Sequence, residues 1–244
     1  MKSLRESILA DMNDVLKAGD KTIKNNIKQW LKENLAKGIS KCKISRTPNK
    51  DGKYEVSSKD NVVFNKKVIS LTNGMFIWTE VDGSFNCSNC PNLTSLKGAP
   101  EIVNGSFLCS KCKSLKTLEG VSKEVGKKFD CTYCYDLTSL ALPGTFEKVG
   151  DFVCNNCYNL KSLKGAPEKV DGHFLCNSCS NLTSLEGCPK IVGGVFDCSC
   201  CSNLTSLKGA PKEVDGNFGC YNCGKPFIKD EVKSLCDVKG EIYT

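Results

Sequence analysis

The chain lacks several features that would place it in a membrane or equip it for acid–base chemistry. Its 244 residues include a single histidine, His173. No stretch approaches the roughly 18 to 20 apolar residues that span a bilayer. Residues 1–6 carry an acidic residue early and are not followed by the apolar run of a secretory signal peptide. We therefore predict a cytoplasmic protein without a membrane partner, in which the thiols stay reduced.

Catalytic motifs are absent or incomplete. A cysteine nucleophile needs a nearby base, but His173 is expected at an outward strand position, away from the inward thiols. The segment 120–128 has one residue too many between its glycines for a phosphate-binding loop, and no Ser or Thr follows its lysine. Cys-x-x-Cys redox chemistry needs a thiolate at a helix N-terminus rather than a buried strand pair. The sequence therefore predicts a protein that is not an enzyme and has no cofactor.

Cysteine, by contrast, is abundant, with 18 residues. Fourteen of them form seven Cys-x-x-Cys pairs, whose first members are separated by 22, 22, 23, 22, 22 and 22 residues. The pairs are Cys87/Cys90, Cys109/Cys112, Cys131/Cys134, Cys154/Cys157, Cys176/Cys179, Cys198/Cys201 and Cys220/Cys223. A constant period in this range predicts a solenoid, in which each repeat buries its apolar face against its neighbours.

The repeat is Val-x-Gly-x-Phe-x-Cys-x-x-Cys-x-x-Leu-x-x-Leu-x-Gly-x-Pro, and one full copy spans residues 170–189. The period-two alternation of Phe174 and Cys176 predicts a short strand with both side chains inward. From Cys179 onward, one residue in three is apolar, which keeps the core lined while the chain turns. The remaining link is too short for a full α-helix, so the opposite side should be extended or 3₁₀.

This pattern resembles the leucine-rich repeat, whose strand motif Leu-x-Leu-x-x-Asn/Cys appears here as Phe-x-Cys-x-x-Cys over roughly residues 80–224. The Leu-Thr-Ser-Leu-x-Gly-Ala-Pro segments are similar to short arrays carried by proteins of tailed bacteriophages and gut bacteria. The resemblance implies an α/β repeat solenoid, a curved array of short parallel strands. It also implies that the partner of a phage-encoded chain would be a host protein in the host cytoplasm.

Four segments are predicted along the chain. Residues 1–38 should form an N-terminal helical hairpin, since apolar residues follow helical spacing on both sides of Gly19. Residues 39–80 should form a β-rich entry segment that caps the array. The leucine-rich-repeat-like array would span residues 81–224. Residues 225–244 would form a short C-terminal cap with one helix, because an open last turn exposes core.

The C-terminal cap is expected to cover the last turn with three apolar side chains. These are Phe227, Val232 and Leu235.

The paired cysteines allow two interpretations. Successive Cys-x-x-Cys pairs match the spacing of zinc ribbons. However, each pair lies in an apolar frame, seven pairs cannot form four-cysteine sites without one left over, and a continuous core needs no metal to fold. We therefore favour ladders of buried thiols, which pack as small hydrophobes. Cys220 and Cys223, with Cys236 as a third ligand, remain the best candidates for zinc.

The concave face, formed by the outward residues of the strands, is the expected recognition surface, because solenoids bind through such faces. Most are small and polar, but three in one column are apolar: Leu108, Val153 and Leu175. Three tyrosines lie just past the strands of adjacent repeats: Tyr133, Tyr135 and Tyr158. Aromatic and apolar anchors in the middle of a surface are typical of protein-binding hot spots. Scattered surface residues without a partner are the alternative interpretation.

The leading functional hypothesis is a non-enzymatic protein-interaction module. In a phage, such a module could bind and block a host defence protein. A second hypothesis is a structural component of a virion or other assembly. A third is nucleic-acid binding through the basic N-terminal half, since the net charge is +7 and much of the excess precedes the repeats. The lysines concerned are Lys17, Lys21, Lys24, Lys28, Lys41, Lys43, Lys66 and Lys67.

Overall fold

The structure, a computed structural model, describes residues 4–140 and 146–244, and side chains from residue 17 onward within these ranges. It is a β-solenoid of about eight turns with mostly parallel strands and a helix near each end. In the described part of the chain, no helix combines the length and apolarity needed to cross a bilayer.

The N-terminal elements are helix α1, a 3₁₀ turn at Ile39–Lys41 and five strands. Their bounds are α1 (Leu4–Asn34), β1 (Leu35–Lys37), β2 (Cys42–Ile44), β3 (Tyr54–Ser58), β4 (Val62–Phe64) and β5 (Phe76–Val81). The repeats supply β6 (Phe85–Asn86), β7 (Ile102–Val103), β8 (Phe107–Leu108), β9 (Glu124–Asp130), β10 (Lys148–Val153), β11 (Lys169–Val170), β12 (Phe174–Leu175), β13 (Ile191–Val192), β14 (Phe196–Asp197), β15 (Glu213–Val214) and β16 (Phe218–Gly219). The chain continues with α2 (Lys229–Leu235), β17 (Asp237–Val238) and β18 (Ile242–Tyr243).

Each repeat contributes two strands, which pair with the equivalent strands of the neighbouring turns. One column contains the phenylalanine strands, in register from Phe85 through Phe107 and Phe129 to Phe218. The other contains the Val-x-Gly segments, for example Val170 beside Val192. Strands β9 and β10 run through both columns. The first column was predicted from the sequence, and the second was not.

The core is a set of stacked ladders, one for each inward position of the repeat. Phe174 stacks between Phe152 and Phe196, with ring centroids 5.3 and 5.6 Å away. Thirteen of the fourteen paired cysteines are buried, and Cys223 in the last repeat is partly exposed. The predicted inward direction of the Phe, Cys and Leu side chains is therefore confirmed.

The two thiols of a pair have different surroundings. The second thiol contacts the backbone carbonyl of the first cysteine in the preceding pair, as in Cys179 Sγ to Cys154 O at 3.2 Å. The same contact recurs for Cys112, Cys134, Cys157, Cys201 and Cys223, at 3.1 to 3.4 Å. Because a thiol can donate only when protonated, this geometry favours neutral side chains that satisfy a buried carbonyl.

Burial has the same consequence for ionisation. It raises the pKa of the Cys109, Cys131, Cys176 and Cys198 thiols well above the ordinary value of 9.0. The physical cause is desolvation, which penalises the thiolate. Burial therefore keeps these four thiols protonated at neutral pH.

The glycine that follows the second leucine of the repeat occupies a turn that only glycine fits. Gly187 has φ +88°, and a Cβ there would lie 2.4 Å from the backbone nitrogen of Lys164. Gly74 has a similar φ of +85° but nothing within 4 Å of the Cβ position.

We expect Gly187→Ala to destabilise the chain clearly more than Gly74→Ala. The Gly74 variant should lower the free energy of unfolding by about 1–2 kcal/mol, because alanine disfavours the left-handed backbone. The Gly187 variant carries the same penalty and also a clash between its Cβ and the backbone of Lys164. Urea denaturation of both variants would test this, and equal costs would show that the neighbouring turn yields without penalty.

The predicted helical hairpin is wrong. Helix α1 runs without a break from Leu4 to Asn34 and passes through Gly19. An exposed glycine costs a helix only about 1 kcal/mol relative to alanine. Burial of Ile27 and Leu31 against the first turn outweighs that cost.

The C-terminal prediction holds in part. Phe227 and Val232 are buried, but Leu235 is 49 % exposed. The reason is that β17 and β18 follow the helix and extend both strand columns by one turn. Ile242 in β18 takes the position next to Phe218, so a strand residue covers the core there instead of Leu235.

Candidate protein-binding surface

The outward residues of the phenylalanine strands lie side by side in one column, which we call the middle column. Strand pairing aligns Asn86, Leu108, Asp130, Val153, Leu175, Asp197 and Gly219. Leu108 and Leu175 are half-buried, whereas only 8 % of Val153 is exposed. The prediction that all three are exposed is therefore wrong for Val153. Asp130 separates Leu108 from the Val153–Leu175 pair, so the three form no continuous apolar patch.

Three tyrosines do form a cluster. The rings of Tyr135 and Tyr158 are stacked, with centroids 5.3 Å apart and planes 6° from parallel. Tyr133 meets Tyr135 edge to face at 6.2 Å. The stacking follows from the repeat, because Tyr135 and Tyr158 each come directly after the second cysteine of adjacent turns.

Two further residues hold the cluster in place. The ammonium of Lys113 lies 5.8 Å from the Tyr135 ring centroid, within cation–π range. The hydroxyl of Tyr158 donates to Asn156 Oδ1 at 3.4 Å. We call Lys113, Tyr133, Tyr135, Asn156 and Tyr158 the tyrosine patch. Lys113 and Asn156 were not predicted from the sequence, although Lys113 occupies the equivalent position one repeat before Tyr135.

The tyrosine patch has an open end. Tyr158 is 43 % exposed. One face of its ring stacks on Tyr135, while the equivalent position in the next turn is Ser180, a much smaller side chain. The aromatic ladder therefore stops at Tyr158 and leaves room beside it for a group from another molecule.

His173 has a structural contact rather than a catalytic one. Its Nδ1 accepts a hydrogen bond from the backbone N–H of Val195 at 2.8 Å. The backbone N–H of His173 donates to Asp151 Oδ1 at 2.8 Å. Ser84 Oγ accepts from the Ser106 N–H in the same way at 3.1 Å. Ser84, Asp151 and His173 each lie two residues before a middle-column residue, and side chains at this position accept hydrogen bonds from backbone N–H groups of the next turn.

Two of the three candidate zinc ligands have hydrogen-bonding partners within the protein. Cys223 Sγ lies 3.4 Å from Cys198 O, and Cys236 Sγ lies 3.8 Å from Asp237 O. Within residues 4–140 and 146–244, no group of three or more His, Cys, Asp or Glu side chains has an arrangement suited to a metal ion.

No protein family model, curated protein or solved structure matches this chain.

Proposed function

We propose that this chain is a non-enzymatic protein-interaction module that binds a protein partner through the tyrosine patch. The observation that carries the proposal is the stacked Tyr135–Tyr158 pair, which ends in an exposed ring face. Tyrosine supplies a large amphipathic contact area with only two side-chain torsions to immobilise, so it loses little entropy on binding. Stacking against Tyr135 removes part of that cost before the partner arrives.

The surroundings of the tyrosine patch support a protein partner over a small molecule. The patch lies on an outward face, where Tyr133 and Tyr135 are half-buried and Tyr158 is exposed. A hot spot of this composition suits an apolar or aromatic anchor of a partner, with a polar rim that excludes water. If the chain is phage-encoded, that partner is a host protein. A defence protein whose activity the module blocks is one such partner.

Replacing Tyr135 and Tyr158 with alanine should abolish most of the affinity for the partner. Loss of two hot-spot residues at about 2 kcal/mol each corresponds to a drop of the order of 100-fold or more. The partner would first be captured from host lysate with the wild-type chain, and affinities would then be measured by calorimetry with purified components.

The matched control is Tyr221→Ala with Tyr243→Ala, which removes two exposed tyrosines elsewhere on the solenoid. The control should keep wild-type affinity, and both double variants should unfold at nearly the wild-type temperature. Equal affinity of all three proteins for the captured partner would refute the assignment of the binding surface.

A further inference from the structure

A concave surface lies at the N-terminal end, between α1 and the segment 39–46. Two adjoining cavities of about 420 and 450 Å³ share Lys24 and Lys28 as lining residues. We call this surface the basic groove. Its cationic side chains include those of Lys21, Lys24, Lys28, Lys32 and Arg46.

The stripe of lysines results from helical spacing. Lys21, Lys24, Lys28 and Lys32 recur every three or four residues and so share one face of α1. The adjacent face of α1 carries Ile27 and Leu31, which are buried, and Leu31 also lines the groove. At 1.5 Å per residue the stripe is about 16 Å long.

Among the described residues, the cations of the basic groove outnumber its one acid, Asp20. Lysines of the array pair with acids of the adjacent turn, as in Lys208–Glu186 at 2.7 Å and Lys97–Glu119 at 3.0 Å. No such partner lies within ion-pair distance of the groove residues Lys21, Lys28, Lys32 and Arg46 in the described part of the chain.

The groove is also held in a defined shape. Lys24 Nζ donates to the Arg46 carbonyl and lies 5.1 Å from the Tyr54 ring centroid. The Tyr54 hydroxyl donates to Asp20 Oδ1 at 2.5 Å. These contacts connect α1 to the segment opposite and engage Asp20, the one acid among the described groove residues.

We propose that the basic groove binds the phosphate backbone of duplex nucleic acid. A duplex carries one negative charge per about 1.7 Å of its axis, so a row of cations about 16 Å long lies against a dense array of phosphates. Single strands are bound through aromatic side chains on which bases stack. The groove offers none, because only 1 % of Tyr54 is exposed. Binding is therefore to the backbone, without sequence preference.

The test is binding of the full chain to a fluorescent duplex DNA of about 20 base pairs, a length that exceeds the groove several-fold. Affinity would be measured at a series of salt concentrations. Lys21→Glu with Lys28→Glu should weaken binding at least tenfold and lower the slope of log K against log salt by about two, since each phosphate contact contributes about 0.9 to that slope. Lys21→Gln with Lys28→Gln should show a smaller loss, which guards against an effect of misfolding.

The matched control is Lys161→Glu with Lys212→Glu, which changes the net charge equally at exposed positions of the array. The control should keep at least a third of the wild-type affinity, and the Tyr135/Tyr158 variant should bind duplex normally. Three results would overturn the proposal: no binding of duplex, an equal loss in the control, or equally tight binding of poly-glutamate, which would indicate an acidic protein instead. None of them bears on the partner of the tyrosine patch.

Discussion

Raising the pH from about 8 to about 10 under reducing conditions is expected to remove several kcal/mol from the free energy of unfolding, about 1.4 kcal/mol for each fully buried thiol. Burial raises the pKa of the Cys109, Cys131, Cys176 and Cys198 thiols above their ordinary value of 9.0. Four such thiols together account for about 6 kcal/mol at pH 10.

The sign follows from the number of bound protons. Above pH 9 the unfolded chain loses its thiol protons, while the folded chain keeps them because the buried thiolate is not solvated. The native state then binds more protons, so its stability is fully present below pH 9 and falls as the pH rises. Burial raises the pKa of Cys220 to about 12 and that of Cys236 to about 11, which adds to the same trend.

Urea denaturation at a series of pH values measures this slope. Cys109→Ala should reduce the loss of stability between pH 8 and pH 10 by about 1.4 kcal/mol, because one buried thiol is gone. Cys200→Ser, at an exposed cysteine, is the matched control variant.

The same titration separates thiol ladders from zinc sites. Metal-bound cysteines are thiolates, so a zinc protein would lose stability toward acid as protons displace the metal. A flat curve between pH 8 and 10, together with loss of stability near pH 5, would reject the ladder of neutral thiols.

The second large effect is expected from the phenylalanine ladder. Phe174→Ala should lower the free energy of unfolding by about 3–5 kcal/mol, the usual cost of deleting a buried aromatic ring. The ring is fully buried and stacked on both faces, with interplanar angles of 13° to Phe152 and 7° to Phe196. The strand contains only two residues, so its neighbours cannot collapse into the gap without disturbing both adjacent turns.

Two controls define the measurement by urea denaturation. Phe174→Leu should lower the free energy of unfolding clearly less than Phe174→Ala, because leucine keeps part of the buried volume. Ile69→Ala should stay within about 0.5 kcal/mol, since Ile69 is 69 % exposed and lies outside the ladder. A Phe174→Ala cost below that of Phe174→Leu would mean that the stack is not continuous in solution.

The repeat period could be read from the sequence because it is a local property. Phe174, Cys176, Cys179 and Leu182 lie within nine positions of one another, and their spacing alone places them on one inner wall. Strand pairing then aligns each with its counterpart one turn away. The tyrosine patch was predictable for the same reason, as Tyr135 and Tyr158 occupy equivalent positions of adjacent repeats.

Features that depend on contacts between distant segments were missed or misjudged. The second strand column contains only two residues per repeat, as in β11 and β13, which is too short for alternation to reveal. The exposure of Val153 depends on its neighbours in the adjacent turns, Asp130 and Leu175. The basic groove needs Arg46 to approach Lys24 across 22 positions of chain.

By itself, the sequence determined that this protein is a solenoid with Phe, Cys and Leu inside, because a constant period with an apolar frame permits no other burial. Only the tertiary structure decided that α1 is one helix, since the energy of packing Ile27 and Leu31 exceeds the local cost of Gly19. It also decided that the second thiol of each pair donates a hydrogen bond to a backbone carbonyl of the preceding turn. That contact joins residues about 25 positions apart, and no local pattern specifies it.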